Sequence, residues 1–405
     1  MTDHPADSAP GHRESAGTPI QVADIEDAKP EAGSGAAIKA AIARIADPEQ
    51  RVLARIAEMR KRKPSLRETA ITMSHGAGGK ASHTLVRALF ADVLSNPALE
   101  ELGDQAQLPV SGLDGARIAM STDSFVVSPL FFPGGDIGEL AVNGTVNDLA
   151  VGGAQPLGLS AAFILEEGLD VAVLRRVVES MRAAADRAGV SIVTGDTKVV
   201  PRGKADQLFV TTTGVGLVRE PERLGIARIR PGDAVLLNAA IGDHGSTVML
   251  ARGDVDLEAE ALRSDTRPLW GLVSTLLDAG VEVHFMRDAT RGGVATVLNE
   301  IAQQAGLAVA IDEDSLPVHD EVRGVAEILG IEPLYIANEG VLVAIVAAAD
   351  AERALELMRS LPEGAEAARI GEVREEPEGM VFIRTGFGGT RVVDMLIGDP
   401  LPRIC

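Results

Sequence analysis

Residues 121–154 read STDSFVVSPLFFPGGDIGELAVNGTVNDLAVGGA, and the fold turns on this stretch. Asp114-Gly115-Ala116 opens a strand over Arg117 to Ser121, which ends in Thr122-Asp123-Ser124-Phe125. Phe132-Pro133-Gly134-Gly135-Asp136-Ile137-Gly138 is then a glycine turn that starts a helix, with Leu140, Val142, Val146, Leu149 and Ala150 on its buried face. Asn143, Thr145, Asn147 and Asp148 interrupt that apolar helix. Polar side chains in such a helix are costly to bury without partners. A metal and phosphate site would satisfy them. Asp123 at a strand end is well placed to hold metal, although a plain turn carboxylate reads the same way.

On either side the pattern alternates. Leu159 to Leu165 reads as a strand and Val171 to Ala188 as an amphipathic helix. Val190 to Val193 reads as a buried strand delivering Thr194-Gly195-Asp196-Thr197-Lys198. Asp196 and Lys198 sit two apart and so project to one side of an extended chain. They are either a structural ion pair, or a carboxylate on nucleotide or metal beside a lysine that steadies phosphate charge. Leu208 to Gly216 is another strand, and a domain boundary is placed near Arg230. The second half predicts strands at 234–239, 309–311, 334–336, 341–346, 369–373 and 380–385. Its predicted helices are 294–304, 318–329 and 351–361, the last capped by Asp350. This alternation predicts two α/β or α+β domains.

Several glycine turns remain. His75-Gly76-Ala77-Gly78-Gly79-Lys80 could bring backbone N–H groups to an anion. It is not a Walker A loop, which needs Gly where Ser74 stands and Ser or Thr where Ala81 stands. His244 in Ile241-Gly242-Asp243-His244-Gly245 reads equally as a phosphate contact or a helix cap. Arg287-Asp288-Ala289-Thr290-Arg291-Gly292-Gly293 starts a helix in the manner of anion sites.

Composition narrows the function. The 405 residues carry 38 Lys+Arg against 59 Asp+Glu, a net charge of −21, which argues against nucleic-acid binding. A polyphosphate would need Mg²⁺ or local basic groups to approach such a chain. No apolar run is long enough to span a membrane, and Met1 to Pro5 lacks signal-peptide character. A cytoplasmic location is expected. Residues 1–35, rich in Pro, Ala, Gly and acids, are expected to be disordered. Short helices are expected around Ile38 to Ile45 and, after Asp47-Pro48, around Leu53 to Met59. The cluster Arg60 to Lys63 then reads as a solvated helix end.

Cys405 is the one cysteine, so an internal disulfide and a CxxC site are both excluded. Pro400 and Pro402 before it favour an extended arm. A lone thiol on such an arm is either a frayed tail or a carrier on which a group is loaded, moved and processed.

Taken together and in order, HGAGG, the 121–154 segment, IVTGDTKVV, IGDHG, RDATRGGV, YIANEG and the final LPRIC resemble the HypE family of nickel–iron hydrogenase maturation. The likeness covers about residue 70 to 405, and PRIC separates it from the related aminoimidazole ribotide synthetases, selenophosphate synthetases and thiamine-monophosphate kinases. The resemblance implies a two-domain PurM-like ATP-binding fold. It implies a helical or disordered extension (1–66), an ATP-binding and dimerisation domain (67–230) that forms a β-barrel across a homodimer, a C-terminal domain (231–397) and a mobile tail (398–405).

By the same resemblance, Asp123, Asp148 and Asp288 would hold Mg²⁺. Asp114, Asn147, Asp196 and Thr197 would contact nucleotide or metal, and Gly134-Gly135 would face phosphates. The implied activity is ATP-dependent dehydration of a carbamoyl group, placed on Cys405 by the carbamoyltransferase HypF, to a thiocyanate. The cyano group would then pass to iron on the HypC–HypD complex. Glu339 is the candidate base and Lys198 the candidate stabiliser of phosphoryl or oxyanion charge. A small-molecule kinase or synthetase of the same fold, and a nucleotide-sensing scaffold, are the competing readings.

Overall fold

The computed structural model describes residues 42–44, 51, 54–55, 79–90, 104–109, 115–218, 224–255, 257, 259, 261–396 and 404–405. The chain divides into two units, Met1–Lys63 and Pro64–Cys405. In the first, residues 42–43, 51 and 54–55 are helical. The expectations for residues 1–35, Asp47-Pro48, the 60–63 cluster, His75 to Gly78 and Asp114 fall outside the described residues.

Among the described residues, the second unit begins with a short helix, α1 (Lys80–Leu85), followed by a five-stranded sheet. Its strands are β1 (Ala106–Pro109), β2 (Arg117–Phe125), β5 (Gln155–Glu166), β6 (Ile192–Val200) and β7 (Leu208–Val218), in the order β1-β2-β7-β5-β6. A small hairpin, β3 (Phe131–Phe132) with β4 (Gly135–Asp136), leads into helix α2 (Ile137–Val151). The β2, β7 and β5 pairings are antiparallel, whereas β5 and β6 are parallel. A parallel neighbour requires a crossover, supplied by α3 (Val171–Ala188).

β2 runs four residues past its expected end, so Asp123 lies within the ladder, opposite Thr212. Helix α2 starts where the glycine turn predicts, because Asp136 caps it by accepting from the N–H groups of Gly138 and Glu139. Ile137, Leu140, Val142, Val146 and Leu149 are buried completely. Each such side chain contributes about 1.5–3 kcal/mol, enough to hold a helix that also buries several polar groups.

The second half is a seven-stranded mixed sheet, ordered β14-β13-β10-β12-β8-β11-β9. In chain order these are β8 (Ala234–Leu237), β9 (Val283–Asp288), β10 (Ala308–Asp312), β11 (Leu342–Val346), β12 (Ala368–Arg374), β13 (Val381–Arg384) and β14 (Thr390–Val393). The helices are α4 (Asp243–Arg252), α5 (Trp270–Asp278), α6 (Gly293–Ala305), α7 (Asp320–Leu329) and α8 (Ala351–Arg359). β8 and β11 are buried at every residue because both faces are covered. Val235, Leu237, Val343 and Ile345 pack with α6, while Ala234, Leu236, Ala344 and Val346 pack with α5 and α8. Ala150 and Val151 of α2 join that second cluster, so α2 ties the two sheets together.

Some expectations are corrected. β6 is an exposed edge, not a buried strand, with Val193 71% and Val199 66% accessible. Leu334 to Ile336 is not a strand; Pro333–Tyr335 forms a 3₁₀ turn. Asp350 precedes α8, but its carboxylate accepts from the Glu282 N–H instead of capping the helix. Neither sheet is a closed barrel within one chain. No helix among the described residues is long and apolar enough to cross a membrane.

Candidate active site

The polar residues of α2 do different work from one another. The Thr212 hydroxyl donates to the Ala141 carbonyl and so accepts from Thr145, at 2.6 Å. Asn143 donates to Thr266 at 3.0 Å, while its amide oxygen is buried without a partner. Asn147 is engaged with backbone throughout: its nitrogen donates to Arg267 O (3.0 Å) and Glu339 O (3.2 Å), and its oxygen accepts from Leu269 N (2.8 Å). Asn147, expected to contact nucleotide or metal, here braces the loop that carries Glu339.

Asp148 comes from the same helix, Asp123 from β2 and Asp288 from the end of β9. Burial pushes all three carboxyls above the usual range, Asp148 and Asp288 strongly. After burial, Asp148 is raised by the charges of Asp123 and Asp288, and Asp288 by Asp104 and Asp123. Asp148 is hydrogen-bonded to Asp123, which favours the charged form of Asp123, and it accepts from the Ser121 hydroxyl. Asp104, which no motif singled out, bonds Arg287 at 2.8 Å, and Arg287 also reaches Glu300 at 2.9 Å. Arg291 offsets part of the charge on Asp123.

The expected metal trio is therefore brought into one electrostatic neighbourhood without converging. Among the described residues, no group of three or more His, Cys, Asp or Glu is set to hold a metal ion. The donor chemistry nonetheless fits a hard divalent cation: several buried or part-buried carboxyls whose charges repel one another.

The thiol end of the chain lies here as well. Ile404 is 1% exposed and packs in the cluster that contains Phe132, Val248, Val322 and Ile336. Its carbonyl accepts from His244 Nε2 at 2.9 Å, and His244 Nδ1 accepts from the Ser264 hydroxyl at 2.8 Å. His244 does not cap α4; both ring nitrogens are engaged by Ile404 and Ser264. Burial drives His244 down to about 4, so the ring is neutral.

Partly buried Cys405 donates its thiol proton to the Glu339 carboxyl. Burial, and then the charges of Asp265, Asp288 and Asp123, push Glu339 well above its usual range. Burial likewise pushes the thiol up, against the pull of Arg291. Asp265, also missed in the sequence, accepts from Glu339 N at 3.0 Å. Its other oxygen is buried without a partner, and burial raises it to about 7. Gly340 completes this loop, since a Cβ there would stand 2.0 Å from the Asp265 carbonyl oxygen.

Other expected residues lie apart. Asp123, Thr212, Ala161 and Gly195 form one cross-strand row, so Asp196 sits about 14 Å of sheet, three strand spacings, from Asp123. Asp196, Thr197 and Lys198 are all exposed, and the Lys198 ammonium and Thr197 N–H lower the Asp196 carboxyl. Gly134 does not face open space. At φ +87° its Cβ would meet the Ser264 backbone nitrogen at 2.8 Å, and Gly135 lies against Phe132 and Thr266. A close backbone approach accounts for these glycines. Lys80 pairs with Asp394 at 2.6 Å.

Residues 103–218 match the family of AIR synthase related proteins, N-terminal domain, and residues 230–384 match its C-terminal domain. Over 343 residues, 84% of this chain, it is 52% identical to the carbamoyl dehydratase HypE of Rhodobacter capsulatus, covering all of that protein. The chain belongs to the HypE carbamoyl dehydratases. Its fold is similar to HypE in a crystal structure of a HypE–HypF complex, at 45% identity and TM-score 0.72, over 77% of this chain and 99% of that one. It is similar too to a HypE crystallised with ATP, at 47% identity and TM-score 0.69, over 83% and 100%. The chain has the two-domain PurM-like fold, and the thiol–carboxyl pair of Cys405 and Glu339 lies in a HypE chain.

Proposed function

We propose that this chain removes water from an S-carbamoyl group carried on Cys405, using ATP, to supply a cyanide ligand during hydrogenase maturation. The observation that carries the reading is the seat of Cys405: its sulfur is hydrogen-bonded to buried Glu339, beside the acidic cluster. HypF, found in complex with a HypE relative, would load the sulfur. The seated thiol is held protonated and is a poor nucleophile, so loading takes place with the tail withdrawn and dehydration with it seated.

The atoms balance. The thiocarboxamide oxygen takes the γ-phosphoryl group of ATP while the nitrogen gives up a proton. Loss of phosphate and of the second nitrogen proton then leaves the thiocyanate, and the cyano group passes to iron on a HypC–HypD scaffold. Glu339 takes a nitrogen proton; its raised affinity for protons suits that role at neutral pH. Asn147 and Asp265 hold the Glu339 loop in register through its carbonyl and N–H. Asp123, Asp148 and Asp288 would hold Mg²⁺, which would neutralise phosphate charge.

Lys198 and Asp196 enter through a second copy. The apolar edge β6 is unpaired in one chain, and exposed edges of this kind invite pairing. Two copies joined there, in a barrel across the dimer, would bring Lys198 of each to the phosphate site of the other.

Intact-protein mass spectrometry tests the reading. With HypF, carbamoyl phosphate and ATP-Mg²⁺, one carbamoyl group should add to Cys405 and one water should then be lost. Loading with no ATP-dependent water loss would refute it.

A further inference from the structure

We infer that His244 is a positioning residue which, with Ser264, forms a seat for Ile404 and so sets the Cys405 sulfur in register with Glu339. The inference rests on the functional reading above only for its catalytic consequence. The seat itself is a matter of geometry.

Two contacts define it. The Ile404 side chain is 1% exposed and belongs to the apolar cluster that also holds Phe132, Val248 and Ile336. Its carbonyl receives one directed hydrogen bond, from His244 Nε2. A buried carbonyl needs a donor, and the tautomer is fixed from the other side. Thr266 N donates to the Ser264 oxygen at 3.3 Å, which leaves the Ser264 proton for His244 Nδ1. Nε2 must then carry the ring proton. The Phe132 ring stands edge-on to the imidazole at 5.5 Å and limits its tilt.

The seat reads the residue before the cysteine at two points, burial of its side chain in an apolar cluster and a donor for its carbonyl. A slip of one residue would move the sulfur by about 3.3 Å, beyond hydrogen-bond reach of Glu339. His244 touches neither sulfur nor nucleotide in this scheme. It acts by setting how much of the tail is seated, and where.

The test compares His244→Leu, which fills similar volume but removes the donor, with His244→Gln, whose amide can still donate to the Ile404 carbonyl. Ser264→Ala keeps the His244 donor but removes the tautomer lock, together with the long bond from Thr266 N. Alkylation of Cys405 by iodoacetamide in the full-length, unloaded protein reads seating directly and needs no dehydratase activity. Stranding a buried carbonyl should raise labelling of His244→Leu roughly tenfold over wild type. Ser264→Ala should raise it by about threefold, and His244→Gln should stay near wild type.

On protein already loaded by HypF, ATP-driven water loss should slow in the same order, while loading itself, which uses the withdrawn tail, should not be slowed. If His244→Leu is too unstable to purify, Ser264→Ala carries the labelling comparison alone. Labelling as slow as wild type in the donor-free variant, or in Ser264→Ala when it stands alone, would overturn the seat. Should wild type load without losing water, the functional reading fails while the labelling result still decides the seat.

Discussion

The two acidic regions of this protein are built on opposite principles. Around Glu339 and Cys405, buried and part-buried carboxyls from β2, α2, β9 and two loops stand close together, and burial and mutual repulsion raise their affinity for protons. On β6, Asp196 and Lys198 form an ion pair in water, on an edge whose valines have no cover. The first region is poised electrostatically inside one chain. The second is conventional in charge and incomplete in packing. On the proposed reading the site is divided: reactive groups are prepared inside one chain, and charge stabilisation would be completed at the edge by another copy.

The largest effects fall on the buried region. Cys405→Ala should carry no carbamoyl group and form no product, yet still bind ATP in a filter assay. Glu339→Gln should be loaded normally and dehydrate roughly 100- to 10,000-fold more slowly, the range for losing a positioned proton acceptor. Rapid dehydration by Glu339→Gln would erase the distinction between the two regions.

The divided site gives a sharper test. Lys198→Ala alone should slow dehydration by roughly 100-fold or more. Mixing subunits that carry Lys198→Ala with subunits that carry Glu339→Gln should restore activity. Random reassortment leaves one intact site in about half of the dimers, hence about a quarter of wild-type activity. No recovery would mean that Lys198 does not act across the dimer.

Stability should follow the same contrast through pH. Asp265 is raised from 3.8 to about 7 in the folded state. Unfolding therefore releases its proton more readily from pH 3.8 upward, and the resulting penalty grows until about pH 7 and then levels off. Asp265→Asn keeps an acceptor for Glu339 N and should gain stability with that profile. The gain is absent near pH 3.5 and at most about 4 kcal/mol above pH 7, read by urea titration at each pH. His244 has the opposite sign. Its depressed value makes the fold lose stability as pH falls from 6.5 toward 4, by about 3 kcal/mol.

The smallest effect is expected on the edge. Val193→Asp should change the stability of a single chain by no more than about 0.5 kcal/mol. It should nonetheless shift sedimentation from dimer to monomer. An unchanged dimer would place the interface elsewhere.

What could be read from the sequence follows from how far apart the partners lie. The 121–154 stretch announces itself because strand, turn, cap and helix are all local. β9 and α5 were not foreseen. β9 carries His284 and Arg287, whose partners are Asp233, Asp104 and Glu300, and these buried polar pairs break its apolar pattern. Asn147 looked like a ligand because its type is polar, but its partners are backbone groups at 267, 269 and 339. His244 meets a carbonyl 160 positions away. Asp104 and Asp265 sit in no motif, and only folding shows that they share the interior with Glu339. β6 was misread as buried because its valines look like core, and one chain alone gives them nothing to pack on.

The central claim is that buried Glu339 serves the sulfur of Cys405 in an ATP-driven dehydration. A single-turnover experiment reaches it most directly, with wild type and Glu339→Gln both pre-loaded by HypF and then given ATP-Mg²⁺. The mass of the peptide bearing Cys405 is followed over time. The account predicts that wild type loses one water per ATP consumed, while Glu339→Gln keeps its carbamoyl group with nucleotide bound. Equal rates of water loss in the two proteins would contradict it.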